Sequence, residues 1–454
     1  MPGMTIRAAL TRLPDHPFLA DHQQAFSFDQ IHQRCTQVAG ELNKHKAARV
    51  ACFMPDSIAL ISTMLGAAMG GHSLLVVNRD FSNSQLEEVL ERFDVDLLVT
   101  ESGSSFHTRT CTSIEAQALW EGDNPTQPSN THEGEVLVLT SGTTGAPKCA
   151  RYEWSDLLAQ VPPLAKKTKE TWLLAYRLNH FAGLQMLAHS LVHGSKLVVP
   201  ESSKVMHAID AIRNHGVTHV SSTPTFWRYA LANLADNDET LDLKHITLGS
   251  EAVTGDILNR LHERFPEARL VHVYASTEAG SCVSVSDRLP GLPASILDRD
   301  DQHSAQFRVR DGELYIKSRH GMRGYVGNDT ARATDENGWL ATGDLVKVEG
   351  GRILFLGRRS ETINVGGTKV HPLEIENVIA ALPQVKLVRV FGQENPVVGE
   401  IVAVDVVPHA SFTESEVENS VREACTVFGR AMRPRLINVV STIATNNQKV
   451  ARGK

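Results

Sequence analysis

The segment from Leu139 to Lys148 has the composition of a loop that binds phosphate groups. It reads Leu-Thr-Ser-Gly-Thr-Thr-Gly-Ala-Pro-Lys and directly follows an apolar stretch. Glycines let the backbone turn and present N–H groups to anionic oxygens, hydroxyls add donors, and a lysine adds positive charge. The candidate phosphate ligands are Thr140, Ser141, Gly142, Thr143, Thr144, Gly145 and Lys148. The loop therefore predicts binding of a nucleoside triphosphate.

Two other interpretations of this loop compete with that one. Most segments rich in serine, threonine and glycine are simply surface turns. An ordinary P-loop has the spacing GxxxxGK[ST] and leads into a helix, whereas here Lys148 follows Gly145 by three residues, with Pro147 between them. Because proline cannot donate a backbone N–H, an ordinary P-loop is disfavoured.

Composition places the chain among ordinary globular proteins. Its 454 residues suffice for two or three domains, and 42% are hydrophobic and 21% charged. The net charge is -7, and no long basic stripe interleaved with aromatic residues is present. We therefore expect no nucleic-acid partner.

The cysteine pattern predicts the cellular compartment, and the hydropathy of the chain predicts whether a segment spans a membrane. The six cysteines are scattered without a CxxC pair, which favours a reduced, cytoplasmic protein. Residues 58–77 are nearly apolar, but they include Ser62, Thr63, His72 and the pair Gly70-Gly71. We interpret this segment as a buried helix, a glycine stop and a buried strand, so no membrane span is expected.

The first part of the chain alternates between predicted helices and strands, which indicates a mostly parallel sheet. The predicted helices are 27–44, 57–69, 82–93, 205–215 and 255–265, and the predicted strands are 49–53, 74–77, 97–100, 196–199, 217–221, 246–248 and 270–274. After residue 310 short strands at 312–317, 345–348 and 352–356 predict a β-rich subdomain.

The last hundred residues form a separate pattern. Pro372 can begin a helix after Gly366-Gly367, strands follow at 387–391 and 400–407, and a helix is predicted at 413–427. We thus expect an α/β protein: a large N-terminal domain of stacked α/β subdomains plus a β-rich subdomain (1–358), and a small mobile α+β C-terminal domain (359–454).

Several motifs occur in a fixed order along the chain. The phosphate loop is followed by Tyr-Ala-Ser-Thr-Glu (274–278), Gly-Glu-Leu-Tyr-Ile (312–316), Gly-Tyr (324–325), Gly-Trp-Leu-Ala-Thr-Gly-Asp (338–344), Gly-Arg (357–358) and a C-terminal lysine, Lys449. In this order and spacing the set resembles the adenylate-forming superfamily: acyl-CoA and aryl-CoA synthetases, peptide-synthetase adenylation domains and firefly-type luciferases. The resemblance covers nearly the whole chain.

The resemblance implies roles for residues around ATP. Glu278 would bind Mg²⁺, to which hard oxygen donors are suited, and Thr277 would bond the α-phosphate. Asp344 would accept hydrogen bonds from the ribose hydroxyls and Arg358 would reach the same sugar. The adenine would contact a further set consisting of Tyr274, Ala275, Ser276, Gly249, Ser250, Glu251 and Ala252. A buried core tyrosine is the competing interpretation of Tyr274, and a plain turn residue that of Asp344.

The C-terminal part would serve the two half-reactions. Lys449 would bridge the incoming carboxylate and the phosphate as a mobile cation. The double glycine Gly366-Gly367 resembles the site where a pantetheine arm passes in acyl-CoA and aryl-CoA ligases. The hinge of the family usually carries Asp or Lys where this chain has Ser360, so Ser360 is the expected hinge.

Three positions depart from the family pattern. Cys149 stands where the phosphate loop commonly continues with glycine, Ala275 replaces a glycine after the tyrosine, and Gln448 replaces the glycine before the catalytic lysine. Each replacement is small or flexible enough to keep the backbone path. Reduced activity is compatible with them, whereas loss of activity is not required.

The acid pocket should draw on residues 178–184, the loop from Ser250 and residues 273–276. His180 resembles the gating histidine of acyl and aryl ligases, although a core or capping histidine is an alternative. No aspartate in the first segment could pair with an α-amino group, so an amino-acid substrate is disfavoured.

The predicted function is that of an ATP-dependent acid:thiol ligase. It would activate an aromatic or modest-length carboxylic acid as acyl-adenylate, release pyrophosphate and transfer the acyl group to coenzyme A. One alternative acceptor is the phosphopantetheine of an acyl carrier protein. A different alternative is a degenerate relative that binds nucleotide and regulates a partner without turnover, although such a protein would have no need of Lys449.

Overall fold

The protein is described by a computed structural model with mixed α/β architecture. The described residues are 3–104, 106, 108–121, 132–140, 147–162, 170–234, 241–327, 334–443, 445–446 and 449–450. Its α-helices are α1 (Ile6–Thr11), α2 (Phe28–His45), α3 (Ile58–Gly70), α4 (Asn83–Arg92), α5 (Trp154–Ala159), α6 (Phe181–His193), α7 (Val205–His215), α8 (Pro224–Asn233), α9 (Gly255–Arg264), α10 (Pro372–Ala380) and α11 (Glu414–Ala424).

The strands fall into consecutive groups along the chain. The first part contains β1 (Pro17–Ala20), β2 (Ala25–Ser27), β3 (Arg49–Phe53), β4 (Ser73–Val76), β5 (Leu97–Thr100), β6 (Thr112–Glu115), β7 (Glu135–Thr140), β8 (Lys148–Glu153), β9 (Thr171–Leu173), β10 (Lys196–Val198), β11 (His219–Ser222), β12 (His245–Gly249), β13 (Arg269–Ser276) and β14 (Gly280–Val285). The remainder are β15 (Leu292–Pro293), β16 (Ala305–Arg310), β17 (Glu313–Ser318), β18 (Leu340–Glu349), β19 (Arg352–Arg358), β20 (Ile363–Val365), β21 (Thr368–Val370), β22 (Val385–Asn395), β23 (Gly399–Pro408), β24 (Leu436–Val439), β25 (Thr445–Asn446) and β26 (Lys449–Val450).

Two mostly parallel sheets form the body of the protein. One has the strand order β6-β5-β3-β4-β7-β8, and the other has the order β14-β13-β12-β11-β9-β10-β1-β2. Antiparallel strands lie only at their edges, as β8, β14 and β2. Buried side chains from both sheets (Val50, Leu197) and from helices α3 and α6 (Ile61, Leu187) belong to one hydrophobic core, so these helices pack between the sheets.

Helix α3 shows how the sequence specifies this packing. Twelve of its 13 residues are buried, as expected of a helix that is apolar on all sides. Ser57 caps its first turn through a hydrogen bond from the Leu60 amide, and Gly71 ends it at φ +81°. Strand β4 follows at once. The interpretation of residues 58–77 as buried helix, glycine stop and buried strand is confirmed, and no helix in the described part of the chain is long and apolar enough to cross a bilayer.

Two smaller sheets follow. The antiparallel order β15-β19-β18-β17-β16 forms the expected β-rich subdomain with its own core around Phe307, Ile316 and Ile353. Strands β20 to β24 and helices α10 and α11 form the C-terminal α+β module, with a core that includes Ile375 and Val404. Contacts between α8 and β22 join this module to the body, and Leu387 and Tyr229 pack in the same cluster there.

Candidate functional site

The phosphate loop connects two paired strands. Thr140 ends β7 and Lys148 begins β8, and the two residues are partners across an antiparallel hairpin. Ser141, Gly142, Thr143, Thr144 and Gly145 lie outside the described residues. A strand, rather than the helix that follows an ordinary P-loop, begins after Pro147. The Lys148 ammonium is exposed and lies 5.3 Å from the ring centroid of Tyr325.

Cys149 is a core residue of that hairpin. Its side chain is buried among apolar neighbours that include Leu137 and Leu75, and burial raises the pKa of its thiol to about 12. A thiol with so high a pKa stays protonated and unreactive at neutral pH. Cys149 therefore acts here as a small apolar side chain, which explains why cysteine is tolerated after the loop.

The residues expected around adenine follow two neighbouring parallel strands. Strand β12 ends at Gly249, which pairs with Val273 of β13, so the segments 249–252 and 274–276 leave the same edge of the sheet. Ligands of open α/β sheets bind at this carboxyl edge. Ser250 has φ +67°, an unusual conformation for a residue with a side chain, and it turns the chain sharply at this edge.

Glu251 has a structural role within this segment. Its carboxylate accepts hydrogen bonds of 3.0 Å from both the amide and the hydroxyl of Thr225, in the first turn of α8. Those contacts tie the adenine-side segment to a helix N-terminus, where negative charge is favoured. Because Glu251 is held in this way, the backbone of its neighbours Ser250 and Ala252 is held in place as well.

Thr277 and Glu278 directly follow β13 and are held from both sides. The buried Tyr152 hydroxyl donates to the Thr277 carbonyl at 2.6 Å, and Ser276 Oγ accepts from the Ala279 amide at 3.0 Å. The Tyr325 hydroxyl donates to Glu278 Oε1 at 3.4 Å. Burial, reinforced by the Glu278 charge, raises the pKa of Tyr325 to about 12, so its hydroxyl remains a donor at neutral pH.

Asp344 and Arg358 face each other on adjacent strands. They are register partners of β18 and β19, and Arg358 Nε lies 2.8 Å from Asp344 Oδ1. The Tyr274 hydroxyl donates to Asp344 Oδ2 at 2.5 Å, and its ring stacks on Phe355 with centroids 5.2 Å apart. The structure thus brings three predicted residues into one constellation. Asp344 lies within a strand that begins at Leu340, so the alternative of a plain turn residue is wrong.

His180 stands at the N-cap of α6 and its side chain is partly buried. It follows Asn179 and Leu178, both buried, and the Leu178 amide donates to Asp56 Oδ1 at 2.9 Å. Phe181 packs on Tyr152, with ring centroids 5.3 Å apart. Tyr152 also donates to the Thr277 carbonyl. His180 is thus the sequence neighbour of Phe181, which is connected through Tyr152 to the 274–278 segment.

Two of the C-terminal candidates, the pair Gly366-Gly367 and Ser360, lie on exposed turns. Gly366 and Gly367, at φ +57° and +88°, form a two-residue hairpin loop between β20 and β21, the conformation that favours glycine. Ser360 lies in the exposed helical turn Arg359–Glu361 that separates β19 from β20. Lys449 lies in β26, which contacts α8.

Sequence reasoning gave no role to three residues that complete the site. Tyr325 joins Lys148 to Glu278, and Phe355 supports the Tyr274 ring. Glu313 is buried; it accepts from the Gly343 amide at 2.8 Å and pairs with Arg359 at 2.5 Å, which fixes the backbone beside Asp344. The signals for Tyr325 and Glu313 were present in the motifs at 324–325 and 312–316, whereas no motif in the sequence indicates Phe355.

Comparisons with known proteins identify the family of the chain. The family model described as "AMP-binding enzyme" matches residues 6–326, and that of the "AMP-binding enzyme C-terminal domain" matches residues 374–449. A 2-succinylbenzoate–CoA ligase of Bacillus velezensis is 28% identical over 446 residues, covering 92% of this chain and 90% of that protein.

Solved structures share the fold. The o-succinylbenzoate CoA synthetase of Bacillus subtilis, in complex with the acyl-adenylate OSB-AMP, has a TM-score of 0.76 at 22% identity and covers 97% of this chain and 94% of its own. An anthranilate CoA ligase in complex with anthranoyl-AMP has a TM-score of 0.82 at 18% identity, with coverage of 99% and 96%.

These matches confirm the fold class and the enzyme class expected from the sequence, an ATP-dependent, AMP-forming acid–thiol ligase. The family match spans well over half of the chain, and the resemblance inferred from the order of the motifs is confirmed. The chain belongs to the AMP-binding enzyme family, the adenylate-forming superfamily.

Proposed function

We propose that this chain activates an aromatic acid of the 2-succinylbenzoate kind as its acyl-adenylate and transfers the acyl group to coenzyme A. The observation that carries the proposal is the constellation of Tyr274, Asp344 and Arg358 at the carboxyl edge of β13. The names of the relatives, ligases that join 2-succinylbenzoate to CoA, support the choice of acid and thiol.

In this proposal the nucleotide lies along the carboxyl edge of the large sheet. Asp344 accepts from the ribose hydroxyls and Arg358 holds Asp344 in place through its guanidinium. Tyr274 and the segment of Gly249, Ser250, Glu251 and Ala252 border the adenine with Ala275 and Ser276. The phosphate loop and Lys148 bind the β- and γ-phosphates, and the Thr277 hydroxyl bonds the α-phosphate.

Glu278 fits a magnesium ligand. Its carboxylate accepts a long hydrogen bond of 3.4 Å from Tyr325, and a carboxylate has about four lone-pair sites, so lone pairs are left for a cation. Magnesium is commonly held by one or two carboxylates together with substrate phosphates. When bound, the ion would neutralise negative charge on the phosphates.

The chemistry has two steps. In the first, an oxygen of the substrate carboxylate attacks the α-phosphorus, an acid anhydride to AMP forms, and the bond to pyrophosphate breaks. Lys449 stabilises the negative charge that this step concentrates between the carboxylate and the phosphate. In the second, the thiol loses its proton and attacks the acyl carbon, a thioester forms, and AMP leaves.

The same proposal assigns a role to each of the two domains. Residues 1–358 bind nucleotide and acid, and residues 359–454 form a mobile domain that turns about Ser360 between the two steps. Gly366 and Gly367 border the path of the pantetheine arm, because a hairpin loop without side chains leaves room for it. His180 lies at the entrance of the acid pocket.

Three hydroxyl groups meet where the acid pocket is expected. Tyr176 follows β9, Ser221 lies near the end of β11 and Ser250 follows β12, so all three lie at the carboxyl ends of neighbouring parallel strands. The buried Tyr176 hydroxyl is hydrogen-bonded to both serines, and burial raises its pKa. Such a network suits an acid with a polar arm beside its ring.

A panel of acids tests the substrate. Exchange of labelled pyrophosphate into ATP is measured with 2-succinylbenzoate, benzoate, anthranilate and butyrate. We expect 2-succinylbenzoate to exceed benzoate in kcat/KM by about 10- to 100-fold, the value of one hydrogen bond to a charged group. Equal exchange with benzoate would contradict the choice of acid, and exchange with no acid would favour a binding protein without turnover.

The acceptor is tested separately. The enzyme with its acyl-adenylate is supplied with coenzyme A or with a phosphopantetheinylated carrier protein, and thioester is measured by mass. We expect acyl-CoA; acylated carrier alone would make the enzyme a carrier-loading ligase.

Lys449→Ala tests the C-terminal lysine. We expect pyrophosphate exchange to fall at least about 100-fold while ATP binding changes little, because a charge that acts in the transition state is removed. Lys347→Ala, an exposed lysine on β18 paired with Glu349, is the matched control. Unchanged exchange in Lys449→Ala would refute the assigned role.

A further inference from the structure

A cluster of histidines lies at the edge of the large sheet opposite to the nucleotide. Glu170 immediately precedes β9, and His219 and His245 are the first residues of β11 and β12. These are the amino ends of parallel strands, whereas Gly249 and Tyr274 lie at carboxyl ends. The cluster therefore takes no part in the proposed ligase reaction.

Three side chains of this cluster converge as metal ligands do. His189 and His193 are four residues apart on α6, so they share one face of the helix, and their ring centroids are 4.1 Å apart. One ligand atom from each of Glu170, His189 and His193 lies within 4.8 Å of the other two. Ligands around tetrahedral zinc lie about 3.3 Å apart, since zinc–ligand distances are about 2.0–2.1 Å. Small side-chain rotations would bring them to that spacing.

Hydrogen bonding prepares the imidazole of His193 for a metal. His193 Nε2 lies 2.9 Å from the Pro162 carbonyl oxygen, which can only accept, so this nitrogen carries the proton. The lone pair of His193 is thereby left on Nδ1. Histidine ligands in metal sites typically donate their other N–H to a carbonyl or carboxylate in this way.

Two buried nitrogens point to a ligand. Neither His189 Nδ1 nor His193 Nδ1 has a hydrogen-bond partner within the part of the chain that the structure describes. Burying such atoms without a partner is costly, so they call for an explanation.

The carboxylate of Glu170 is also oriented. Its Oε2 accepts from Trp172 Nε1 at 2.9 Å and from Ser195 Oγ at 3.4 Å, and its Oε1 lies 3.7 Å from His219 Nε2. A carboxylate has about four lone-pair sites, so these contacts orient the group and still allow it to coordinate. Such outer partners are characteristic of metal sites.

We propose that Glu170, His189 and His193 form a site for a divalent transition metal of the zinc class, which ties helix α6 to the start of β9. Two imidazoles and one carboxylate suit Zn²⁺ and disfavour Mg²⁺, which prefers oxygen ligands alone. Three protein ligands leave one position for water. The site lies at the sheet edge away from the nucleotide, so the metal would take no part in the proposed ligase reaction.

Zinc binding to protein without an affinity tag tests the proposal. Titration calorimetry with Zn²⁺ alone, after treatment with a chelator, should give one equivalent, and Mg²⁺ without nucleotide should give no heat at this site. His193→Ala should weaken zinc binding by roughly 100-fold or more, and Glu170→Gln by at least about tenfold. His22→Ala, an exposed histidine far from the cluster in sequence, should leave it unchanged.

Cobalt spectroscopy separates this site from binding by cysteine and keeps the test valid if one variant folds poorly. Co²⁺ in the wild-type protein should show ligand-field bands without thiolate-to-metal charge transfer. Glu170→Gln, which preserves the shape of the side chain, should change those bands. The proposal is overturned if the wild-type protein binds no zinc at micromolar concentration, if His193→Ala and Glu170→Gln bind as tightly as wild type, or if thiolate bands appear.

Discussion

At the scale of single residues, Asp344 connects two other residues of the predicted nucleotide site. Its two carboxylate oxygens are engaged by Tyr274 and Arg358, and its side chain is 13% exposed. Because both partners also belong to the predicted site, Asp344 helps to set their positions. In the proposed function it would also offer oxygens to the ribose.

Asp344→Asn tests this role. The amide keeps the shape but removes the charge that Arg358 pairs with, so the free energy of ATP binding should weaken by about 1.5–3 kcal/mol. We expect KM for ATP in pyrophosphate exchange to rise about 10- to 100-fold. Asp335→Asn, on an exposed turn paired with Arg308, is the control. A KM within twofold of wild type would show that the carboxylate does not bind the nucleotide.

Tyr325→Phe tests the contact between Tyr325 and Glu278. The ring that lies under Lys148 is kept, whereas the hydroxyl that donates to Glu278 is lost. A net hydrogen bond contributes about 0.5–1.5 kcal/mol, so the concentration of Mg²⁺ that gives half-maximal exchange should change by about two- to tenfold. Tyr315→Phe, on β17, is the control. If only the melting temperature changes, Tyr325 serves the fold rather than the metal site.

At the scale of elements, two glycine hairpins offer a matched comparison. Gly366-Gly367 joins β20 to β21, and Gly350-Gly351 joins β18 to β19; all four residues have positive φ. An added Cβ would meet no atom within 4 Å at Gly367, Gly350 or Gly351, and only Val398 Cβ at 3.9 Å at Gly366. Alanine at either hairpin therefore costs backbone strain of similar size, about 1–2 kcal/mol per residue.

Only the first hairpin is proposed to border the pantetheine arm. Gly367→Ala should slow thioester formation from the acyl-adenylate about tenfold or more and leave pyrophosphate exchange within twofold. Gly351→Ala should lower the melting temperature similarly without affecting either half-reaction. Single-turnover transfer to CoA, measured with both variants, decides between them. Equal transfer by both would place the pantetheine path elsewhere.

Five of the nine helices α1–α9 and seven of the fourteen strands β1–β14 were predicted from local patterns. For these predicted helices and strands, each predicted end lies within two residues of the observed end. Capping residues such as Ser57 and Gly216 mark the helix ends directly in the sequence. Strands β18 and β22 are longer than predicted, because their polar residues, including the half-buried Thr342 and the exposed Glu394, carry no apolar alternation. Their length comes from pairing with neighbouring strands.

At the scale of the whole molecule, the histidine cluster makes stability depend on pH. Burial lowers the pKa of His245 to about 4, and His219 stacks against it. Between pH 6.5 and 4 the unfolded chain binds a proton at this position that the native protein does not. The free energy of unfolding therefore falls as the pH is lowered through this range.

Urea unfolding with a chelator present, at pH 7.5 and pH 5, measures the effect. Each histidine of this kind should destabilise the native protein by about 1–2 kcal/mol at pH 5 relative to pH 7.5. His245→Gln should reduce the pH dependence by that amount, whereas His22→Gln should not. A variant with the same pH dependence as wild type would show that His245 is protonated in the native protein.

The sequence alone determined the family, and it predicted about half of the helices and strands of the body and the candidate residues of the nucleotide site. Turn chemistry, hydrophobic period and motif order are local properties, and they are read along the chain without knowledge of its path. That information sufficed for the phosphate loop, for Thr277 and Glu278, and for Asp344 and Arg358 as candidates.

Only the tertiary structure decided which distant residues meet. Tyr274 reaches Asp344 across 70 residues because β13 and β18 belong to sheets that pack together around their own core. Glu170 meets His189 and His193 because α6 returns over the start of β9. Such contacts depend on strand order and helix packing, which no spacing in the sequence encodes, so the constellation around Asp344 and the proposed metal site appear only in the folded chain.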